Sequence, residues 1–365
     1  MILNVLYEHD EYQQPHGCSH IRLLRPLSHP TISDSLELVA SSHLSEERAD
    51  IVVVERWWKP GLTEHDAQQL IKSIRRRGSR FIYTLDDNLL DLDQDEEGVA
   101  VKEVLKSCVR LFARECDLLL VSTDTLKARF DRLARCITVI PNALDERLFG
   151  LNNGNDGALV PVLDQHSEPL RFSDGPERNV LKIGFMGTLS HVADLQFILE
   201  PLRAILTQYG QYVTFELIGG TTSNRLARSL PEGSIRIIHP GAAVHYDKFI
   251  PWMRSSVRWD IGLAPLSERD FNLFKSDIKF LDYAAMGIPG IYSRFGPYAK
   301  VVTHGVTGLM PENNPDAWYQ ALRLLIERPD LRLNLAEGAR CYLVREGRLL
   351  ATAATQWLET MRSLM

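Results

Sequence analysis

Short apolar runs alternate with longer stretches of helical periodicity along most of the chain. In the first half the apolar runs are ILNVLY, LELVA, DIVVVE, RFIYTL, LLLVS and ITVIP. Between the third and the fourth, TEHDAQQLIKSIRRRG places Thr63 to cap a helix, with Asp66 three residues on and Gly78 just past its end. Uninterrupted apolar runs are typical of strands buried on both faces of a parallel sheet, so the pattern predicts a doubly wound α/β fold.

The same alternation restarts in the second half. Residues 150–179 carry Gly, Asn, Asp and Pro without strand or helix periodicity, which indicates a connection between domains. After them the apolar runs are LKIGFMG, TFELIGG, IRIIHPG, DIGLAPL, GIYS and TGLM, and a last helical pattern carries Trp357 on its apolar face. We predict one Rossmann-like domain over 1–172, a second over 173–346, and a final helix over 347–365.

Length and charge narrow the classes of protein. The chain has 365 residues, which is more than the ~250–300 residues at which a single hydrophobic core usually stops growing. This length favours two domains. The formal net charge of -6 argues against nucleic acid as a partner. No apolar run approaches the ~18 residues that span a bilayer, and the N-terminus turns acidic at Glu8, so we expect a cytoplasmic protein.

Metal and common nucleotide motifs are not evident. The five cysteines are scattered without a CxxC pair, and His16, Cys18 and His20 have a spacing that suits neither a helical metal pair nor a knuckle, so we predict no metal site. Neither GxGxxG nor GxxxxGK[ST] occurs, which disfavours simple dehydrogenases and P-loop NTPases.

The most informative stretch reads KSDIKFLDYAAMGIPGIYS. Ser276 is placed to cap a helix beginning at Asp277, and the unpaired N–H groups of its first turn would form an anion site. Lys275 and Lys279 flank that end, where a cation is unfavourable by ~0.3–1 kcal/mol unless an anion binds. Asp282 could accept the two hydroxyls of a ribose. These residues favour a nucleotide diphosphate; the alternative is that Asp277 satisfies the helix dipole and the lysines pair with it at the surface.

Other turns after strands could complete this site, because ligands of doubly wound sheets lie outside the carboxyl ends of the strands. Gly184 and Gly187 in IGFMG leave a path along the backbone, Gly219 ends LIGG, and Pro265 ends GLAPL. We assign Gly187, Gly219 and Pro265 to the ligand site, although the geometry of a turn often requires glycine whether or not a ligand binds there.

The stretch around Asp282 resembles the donor-site motif of glycosyltransferase family 4, whose members have the GT-B fold. Its pattern FNLFKSDIKFLDYAA is closer to a subgroup associated with bacterial surface polysaccharides than to the usual motif. DYAAMGIP, from Asp282 to Pro289, matches the second half of the motif, but Phe274 stands where most members have the first Glu. VIPNALDERLF and GVTGLMPENNPDAWYQAL also resemble the family. The resemblance implies two Rossmann-like domains facing a central cleft, an N-terminal acceptor domain and a C-terminal donor domain, with the last helix crossing back to the first.

The resemblance also implies the chemistry. Members transfer a sugar from a nucleotide-diphosphate sugar with retention of configuration and without an essential metal, so a nucleotide sugar is the expected co-substrate and no cofactor is expected. The diphosphate would contact Lys275 and Lys279, and the ribose would contact Asp282. Lys279 would be catalytic, since a positioned cation stabilises the leaving diphosphate most in the transition state. In place of the family's Arg and Lys pair, the loop GTLSHVADLQ offers Thr188, His191 and Asp194.

The first domain is expected to bind a saccharide acceptor, and the resemblance implies that a lipid-linked saccharide is one form of it. Gly17 lies in the turn after the first strand, where Arg22 and Arg25 could hold an anionic acceptor; alternatively both arginines lie on a solvated helix face. Glu55 and Arg56 end the third apolar run and are assigned to the acceptor as well, while Trp57 and Trp58 after them stack on a sugar or pack.

The turn TLDDN supplies the other catalytic candidates. Relatives carry a histidine near this place, so Asp86 or Asp87 would replace it as hydrogen-bond acceptor or general base; alternatively these aspartates form the turn and cap a helix. A basic run before the fourth strand could rest on anionic lipid, as peripheral membrane contact, or form a solvated helix face. This run contains Lys72, Arg75, Arg76, Arg77 and Arg80.

Other functions remain open beside the transferase. A nucleotide-sugar epimerase of the same architecture would need a coherent acid and base set. A catalytically inactive protein that binds a nucleotide sugar and a partner enzyme would account for Phe274. A two-lobed binding protein would ordinarily be exported, and no signal peptide is evident.

Overall fold

The computed structural model describes residues 1–92, 101–153, 159–161, 180–187, 192–219, 228–241, 243 and 245–365. The first half is built on a six-stranded parallel sheet with the strand order β2-β1-β3-β4-β5-β6. Its strands are β1 (Ile2–Leu6), β2 (Glu37–Ser41), β3 (Ile51–Glu55), β4 (Arg80–Leu85), β5 (Leu118–Val121) and β6 (Ile137–Val139). Its main helices are Glu64–Arg76, Glu103–Glu115 and Asp124–Phe130.

Both faces of this sheet are covered, as the uninterrupted apolar runs predict. In β3, Val52 and Val54 pack with the apolar sides of the Glu64–Arg76 and Glu103–Glu115 helices, whereas Ile51 and Val53 pack on the opposite face. The Glu64–Arg76 helix begins with the predicted capping box: Thr63 Oγ1 accepts from the Asp66 amide, and the Asp66 carboxylate accepts from the Thr63 amide. After β1 the chain forms the short helical pieces Gly17–Ser19, His20–Leu24 (a π-helical turn) and Arg25–Leu27, and a 3₁₀ turn Ser33–Ser35 follows.

The second half has its own parallel sheet of five strands, in the order β11-β10-β9-β12-β13. Its strands are β9 (Leu181–Met186), β10 (Val213–Ile218), β11 (Ile235–Ile238), β12 (Ile261–Ala264) and β13 (Gly290–Tyr292). Its helices are Val192–Phe197, Leu199–Tyr209, Tyr246–Ser256, Ile278–Met286, Tyr298–Val301, Pro315–Glu327 and Pro329–Arg345, with 3₁₀ turns Gly210–Tyr212 and Asp270–Leu273. The predicted strand TGLM contributes only two isolated bridges, one between Leu309 and Ile291 of β13 and one between Gly308 and His304.

Two chain segments connect the halves. The predicted connection 150–179 contains a short antiparallel pair, β7 (Leu151–Asn153) and β8 (Leu159–Pro161), and most of its remainder lies outside the described residues. The second connection, residues 346–349, is called the return segment. Its Leu349 forms a bridge with Leu144, whose amide donates to the Arg348 carbonyl at 2.9 Å.

The last helix, Leu350–Arg362, lies against the first sheet. Its side chains Trp357 and Met361 are buried in one cluster with Leu3 and Val5 of β1. The exact limits of the two domains stay a prediction.

Candidate functional site

The helix Ile278–Met286 begins one residue later than expected, and Ser276 does not cap it. Asp277 occupies the cap position without making a side-chain cap hydrogen bond. Its carboxylate instead accepts two hydrogen bonds from Arg348, Nη1 to Oδ2 and Nη2 to Oδ1, both at 2.7 Å. The acid that was expected to offset the dipole at this helix start is therefore held by an arginine of the return segment.

Lys279 and Asp282 lie buried on this helix with relative exposures of 8% and 5%. In the described part of the chain, neither Lys279 Nζ nor Asp282 Oδ1 has a hydrogen-bond partner. Lys279 Nζ lies 4.7 Å from the centre of the Phe185 ring, at the end of β9. The helix thus carries a buried donor and a buried acceptor that the described residues leave unsatisfied, which is unusual in native structures and typical of ligand sites.

The ionisation of both groups is strongly perturbed. Burial, reinforced by the neighbouring Lys275, lowers the pKa of Lys279 from 10.5 to about 7. Burial raises the pKa of Asp282 from 3.8 to about 7, against the opposing effect of Lys279. A bound diphosphate would favour the charged lysine, and ribose hydroxyls would favour the charged carboxylate.

Lys275 is held in place by Asp194. The Lys275 Nζ lies 3.9 Å from Asp194 Oδ2. Asp194 is fully buried, and its Oδ1 accepts hydrogen bonds from the Ser267 amide and hydroxyl, both at 2.8 Å, and from Asn272 Nδ2 at 3.1 Å. This network fixes the loop between β12 and the lysine. Asp194 and Asn272 are 78 residues apart in the chain, so no local sequence pattern predicts this network.

The glycines at the ends of β9 and β10 lie against each other. The Gly187 amide donates to the Ile218 carbonyl at 3.1 Å. Gly219 has a φ of +76°, and a Cβ there would overlap the Gly187 carbonyl oxygen, so both conformation and space require glycine. Pro265 is buried directly after β12. Thr188 and His191 lie outside the described residues.

Gly184 does not provide a path for a ligand, contrary to expectation. A Cβ at this position would overlap the ring of Trp259, which covers the strand there. Trp259 is held by its Nε1, which donates to Glu216 Oε2 at 3.0 Å. Gly184 therefore serves packing.

The solvated-face alternative for Arg22 and Arg25 is wrong. Arg22 is 2% exposed, its Nε donates to Thr84 Oγ1 at 3.1 Å, and its guanidinium lies 5.5 Å from the centre of the Trp357 ring. Arg25 binds Asp145 Oδ2 through Nε and Nη2, both at 2.5 Å. Burial lowers the pKa of Arg22 to about 10. Both arginines are therefore engaged inside the protein.

Acidic side chains gather around Arg56 where β1, β3 and β4 end. Arg56 Nε lies 2.9 Å from Glu8 Oε2, and its Nη1 lies 3.3 Å from Asp86 Oδ1 and 3.4 Å from Asp87 Oδ2. Arg56 has a φ of +44°, a left-handed conformation that is rare outside glycine and common at functional sites. The predicted residues Arg56, Asp86 and Asp87 are thus brought together, and Glu8 joins them unpredicted.

Glu55, the last residue of β3, is buried beside this group. Its Oε2 accepts from the Ser19 hydroxyl at 2.5 Å and from the Glu8 amide at 2.9 Å. Burial, with Glu8 and Asp86 adding to it, raises the pKa of Glu55 to about 8. Gly17, at the start of the same helical turn as Ser19, is exposed, and a Cβ there would meet open space.

The two halves meet beside these groups. Phe274, adjacent to Lys275, packs against the apolar cluster of the first half that also includes Trp57. The His20 ring stacks on Tyr246 of the second half with centroids 6.3 Å apart. Trp58 is a packing residue, since it is buried and its Nε1 donates to the Ser42 carbonyl at 2.9 Å. The segment that carries Phe274 and Lys275 therefore contacts the first half of the chain.

Two further findings concern metals and membranes. Among the described residues, no group of at least three His, Cys, Asp or Glu side chains is arranged to hold a metal ion. Within those residues, no helix combines the length and apolar character needed to cross a membrane. In the predicted basic run that contains Lys72 and Arg80, Arg75 Nη1 lies 2.8 Å from Asp117 Oδ2, so this arginine forms an ion pair within the protein.

Comparisons with known proteins fit this architecture. Sucrose-phosphate synthase from Thermosynechococcus elongatus superposes with a TM-score of 0.65 at 12% identity, covering 100% of this chain and 98% of that one. Anabaena HepE, solved in complex with UDP, gives a TM-score of 0.63 at 14% identity and covers 99% of both chains. At such identities the likeness establishes the fold, which is the predicted GT-B architecture of two Rossmann-like domains.

Sequence comparisons give matches to glycosyltransferases. The model of group 1 glycosyl transferases matches residues 181–328. D-inositol 3-phosphate glycosyltransferase from Jonesia denitrificans is 26% identical over 231 residues, 59% of this chain and 51% of that protein. Its counterpart from Corynebacterium urealyticum is 24% identical over 279 residues, 72% of this chain and 60% of that protein. The match thus spans 51% and 60% of these curated relatives. The resemblance seen in the sequence is confirmed over residues 181–328, which match the model of group 1 glycosyl transferases.

Proposed function

We propose that the protein is a glycosyltransferase that moves a sugar from a nucleotide-diphosphate sugar to a saccharide acceptor. The observation that carries the proposal is the unsatisfied pair of Lys279 Nζ and Asp282 Oδ1, both buried on the helix Ile278–Met286. A diphosphate supplies the anion that the lysine and the helix start lack, and a ribose supplies donors for the carboxylate. The family match of residues 181–328 supports the same ligand.

The residues of this site then have separate roles in the transfer of the sugar. As the bond between sugar and diphosphate breaks, negative charge accumulates on the leaving diphosphate. Lys279, with Lys275 held by Asp194, stabilises that charge more in the transition state than in the ground state. Asp282 holds the nucleoside in place. Phe274 offers the donor sugar no hydrogen bond, so sugar recognition falls to other groups.

The finer assignments rest on the family resemblance. It supports transfer with retention of configuration, without a metal, in the synthesis of a bacterial surface polysaccharide. It also supports a lipid-linked acceptor reached by peripheral contact with the cytoplasmic face of a membrane. The names of the curated relatives refer to inositol 3-phosphate, and HepE was solved with UDP and with UDP-glucose.

A two-stage assay tests the proposal. Nucleoside diphosphates of each base are first screened for thermal stabilisation of the protein. Sugar conjugates of the stabilising nucleotide are then incubated with a panel of glycans, and products are analysed by mass spectrometry. The expected result is stabilisation by one nucleotide and a product heavier by one sugar. Stabilisation with interconversion of the nucleotide sugar alone would indicate an epimerase, and stabilisation without any reaction would indicate an inactive binding protein.

A further inference from the structure

The charge of the Arg56 group bears on the chemistry of the acceptor. Glu8 follows β1, Glu55 ends β3, and Asp86 and Asp87 follow β4, and these three strands are neighbours in the sheet. Their carboxyl groups lie around Arg56, which pairs with three of them, and the buried Arg22 also attracts Asp86 and Glu55. Even with Glu55 protonated, the group carries more negative than positive charge.

Glu55 gives independent evidence that a ligand belongs here. The residue is 1% exposed, and its Oε1 has no hydrogen-bond partner among the described residues. Its other oxygen is held by the Ser19 hydroxyl and the Glu8 amide, so the carboxyl group is firmly oriented. Because Oε2 accepts both of these bonds, the proton of the neutral acid lies on Oε1, and a hydroxyl from outside the chain, such as that of a sugar, can accept from this buried atom or donate to it.

The cations expected to receive an anionic acceptor are engaged elsewhere. Arg25 is bound to Asp145, and Arg22, which is 2% exposed, donates to Thr84 and to the Ile140 carbonyl, so that its buried Nη2 alone lacks a partner among the described residues. A phosphate beside the Arg56 group would meet the carboxylates of Asp86 and Asp87, which repel it. A neutral polyol would instead donate hydroxyl hydrogen bonds to carboxylate oxygens, the charge-assisted kind that is strongest.

We propose that the acceptor presents an unphosphorylated, hydroxyl-rich sugar ring to Glu55, Asp86 and Asp87. This inference rests on the proposed transferase function and specifies the acceptor end of the same site. Phe274, next to Lys275, packs against the same apolar cluster of the first half as Trp57, which follows Arg56 in the chain. Discrimination against phosphate at the accepting ring follows from the surplus of carboxylates.

Matched acceptor pairs test this inference. The protein, supplied with the sugar conjugate of its stabilising nucleoside diphosphate, is offered glucose, galactose and inositol, each beside its monophosphate. Release of the nucleoside diphosphate is measured. We expect at least one neutral compound to accelerate release, and to exceed its monophosphate at least tenfold. The Asp86→Asn/Asp87→Asn variant should lower that ratio severalfold while leaving nucleotide affinity unchanged, and Asp316→Asn, at an exposed position, should change neither.

The outcomes separate the two proposals. Equal or greater use of the monophosphates, or acceleration by none of the compounds, would overturn the acceptor inference while the donor site stands. An unchanged ratio in the double variant would also overturn it, because the carboxylates would then not set the preference. Failure of every nucleoside diphosphate to bind would refute the transferase function, and the acceptor inference with it.

Discussion

Replacing Lys279 with methionine should stabilise the protein in the absence of nucleotide. The lysine is 8% exposed, and its pKa is lowered from 10.5 to about 7 by burial and by Lys275. At ~1.36 kcal/mol per pKa unit, a shift of this size corresponds to about 5 kcal/mol of unfavourable interaction with the charged form. Relaxation around the site and loss of the attraction to Asp282 reduce the gain, so we expect the free energy of unfolding to rise by ~1–3 kcal/mol at pH 7.

The effect has a defined pH dependence. Because the pKa of Lys279 is lower in the folded protein than in the unfolded chain, the unfolded chain binds the proton more tightly. The resulting destabilisation is full below pH 7 and disappears as the pH rises from about 7 toward 10.5. The advantage of the methionine variant should therefore shrink between pH 7 and pH ~9.5.

Urea denaturation of the wild type and the variant at both pH values measures this. Lys248→Met, at an exposed position on the neighbouring helix Tyr246–Ser256, is the matched control and should change stability by less than ~0.5 kcal/mol. A Lys279→Met variant that is less stable than the wild type at pH 7, or whose advantage grows with pH, would refute the assignment of Lys279 as a strained buried cation.

Three further outcomes are expected. In the Lys279→Ala variant, where no lysine at this position gains charge at the same time, nucleotide affinity should fall as the pH drops through neutrality, because burial raises the pKa of Asp282 and the protonated group binds ribose less well; a flat calorimetric profile would contradict this. Arg348→Ala should lower the free energy of unfolding by ~3 kcal/mol in urea, and adding Asp277→Asn should recover much of it; absence of recovery would refute the ion pair's role. Gly219→Ala should lower stability by at least ~1 kcal/mol and weaken nucleotide binding, because Gly219 has positive φ and no room for a Cβ; a variant with unchanged melting temperature would contradict this.

The fold could be predicted from the chain because its local signals agree with one another. The run IVVVE is buried on both faces of the first sheet, and the capping box at Thr63 marks the start of the next helix. The prediction of a strand at TGLM is wrong, because Leu309 makes only an isolated bridge to Ile291. A short apolar run does not by itself distinguish such a bridge from a paired strand.

The candidate site could be predicted only where its residues are close in sequence. Lys275, Lys279 and Asp282 share one short stretch, whose helical spacing and family motif single them out. The partners that hold the site come from far along the chain: Asp194 reaches Lys275, and Arg348 reaches Asp277 across 71 residues. Such pairs follow from tertiary packing, which no local pattern encodes.

The acceptor side shows the same limit. The sequence indicates Arg22 and Arg25 as charges after a strand but does not indicate that Thr84 and Asp145 bind them in the interior. The cluster around Arg56 arises because neighbouring strands end at one edge, which requires the strand order to be known.

The central claim is that a nucleoside diphosphate binds at Lys279 and Asp282. Isothermal titration calorimetry tests this claim most directly. The stabilising nucleoside diphosphate is titrated into the wild type, Lys279→Ala, and the control Lys248→Ala. We expect Lys279→Ala to weaken binding ~10–100-fold, the value of a charge-assisted hydrogen bond of ~1.5–3 kcal/mol, and Lys248→Ala to bind as the wild type does. Equal affinity of the wild type and Lys279→Ala would contradict the claim.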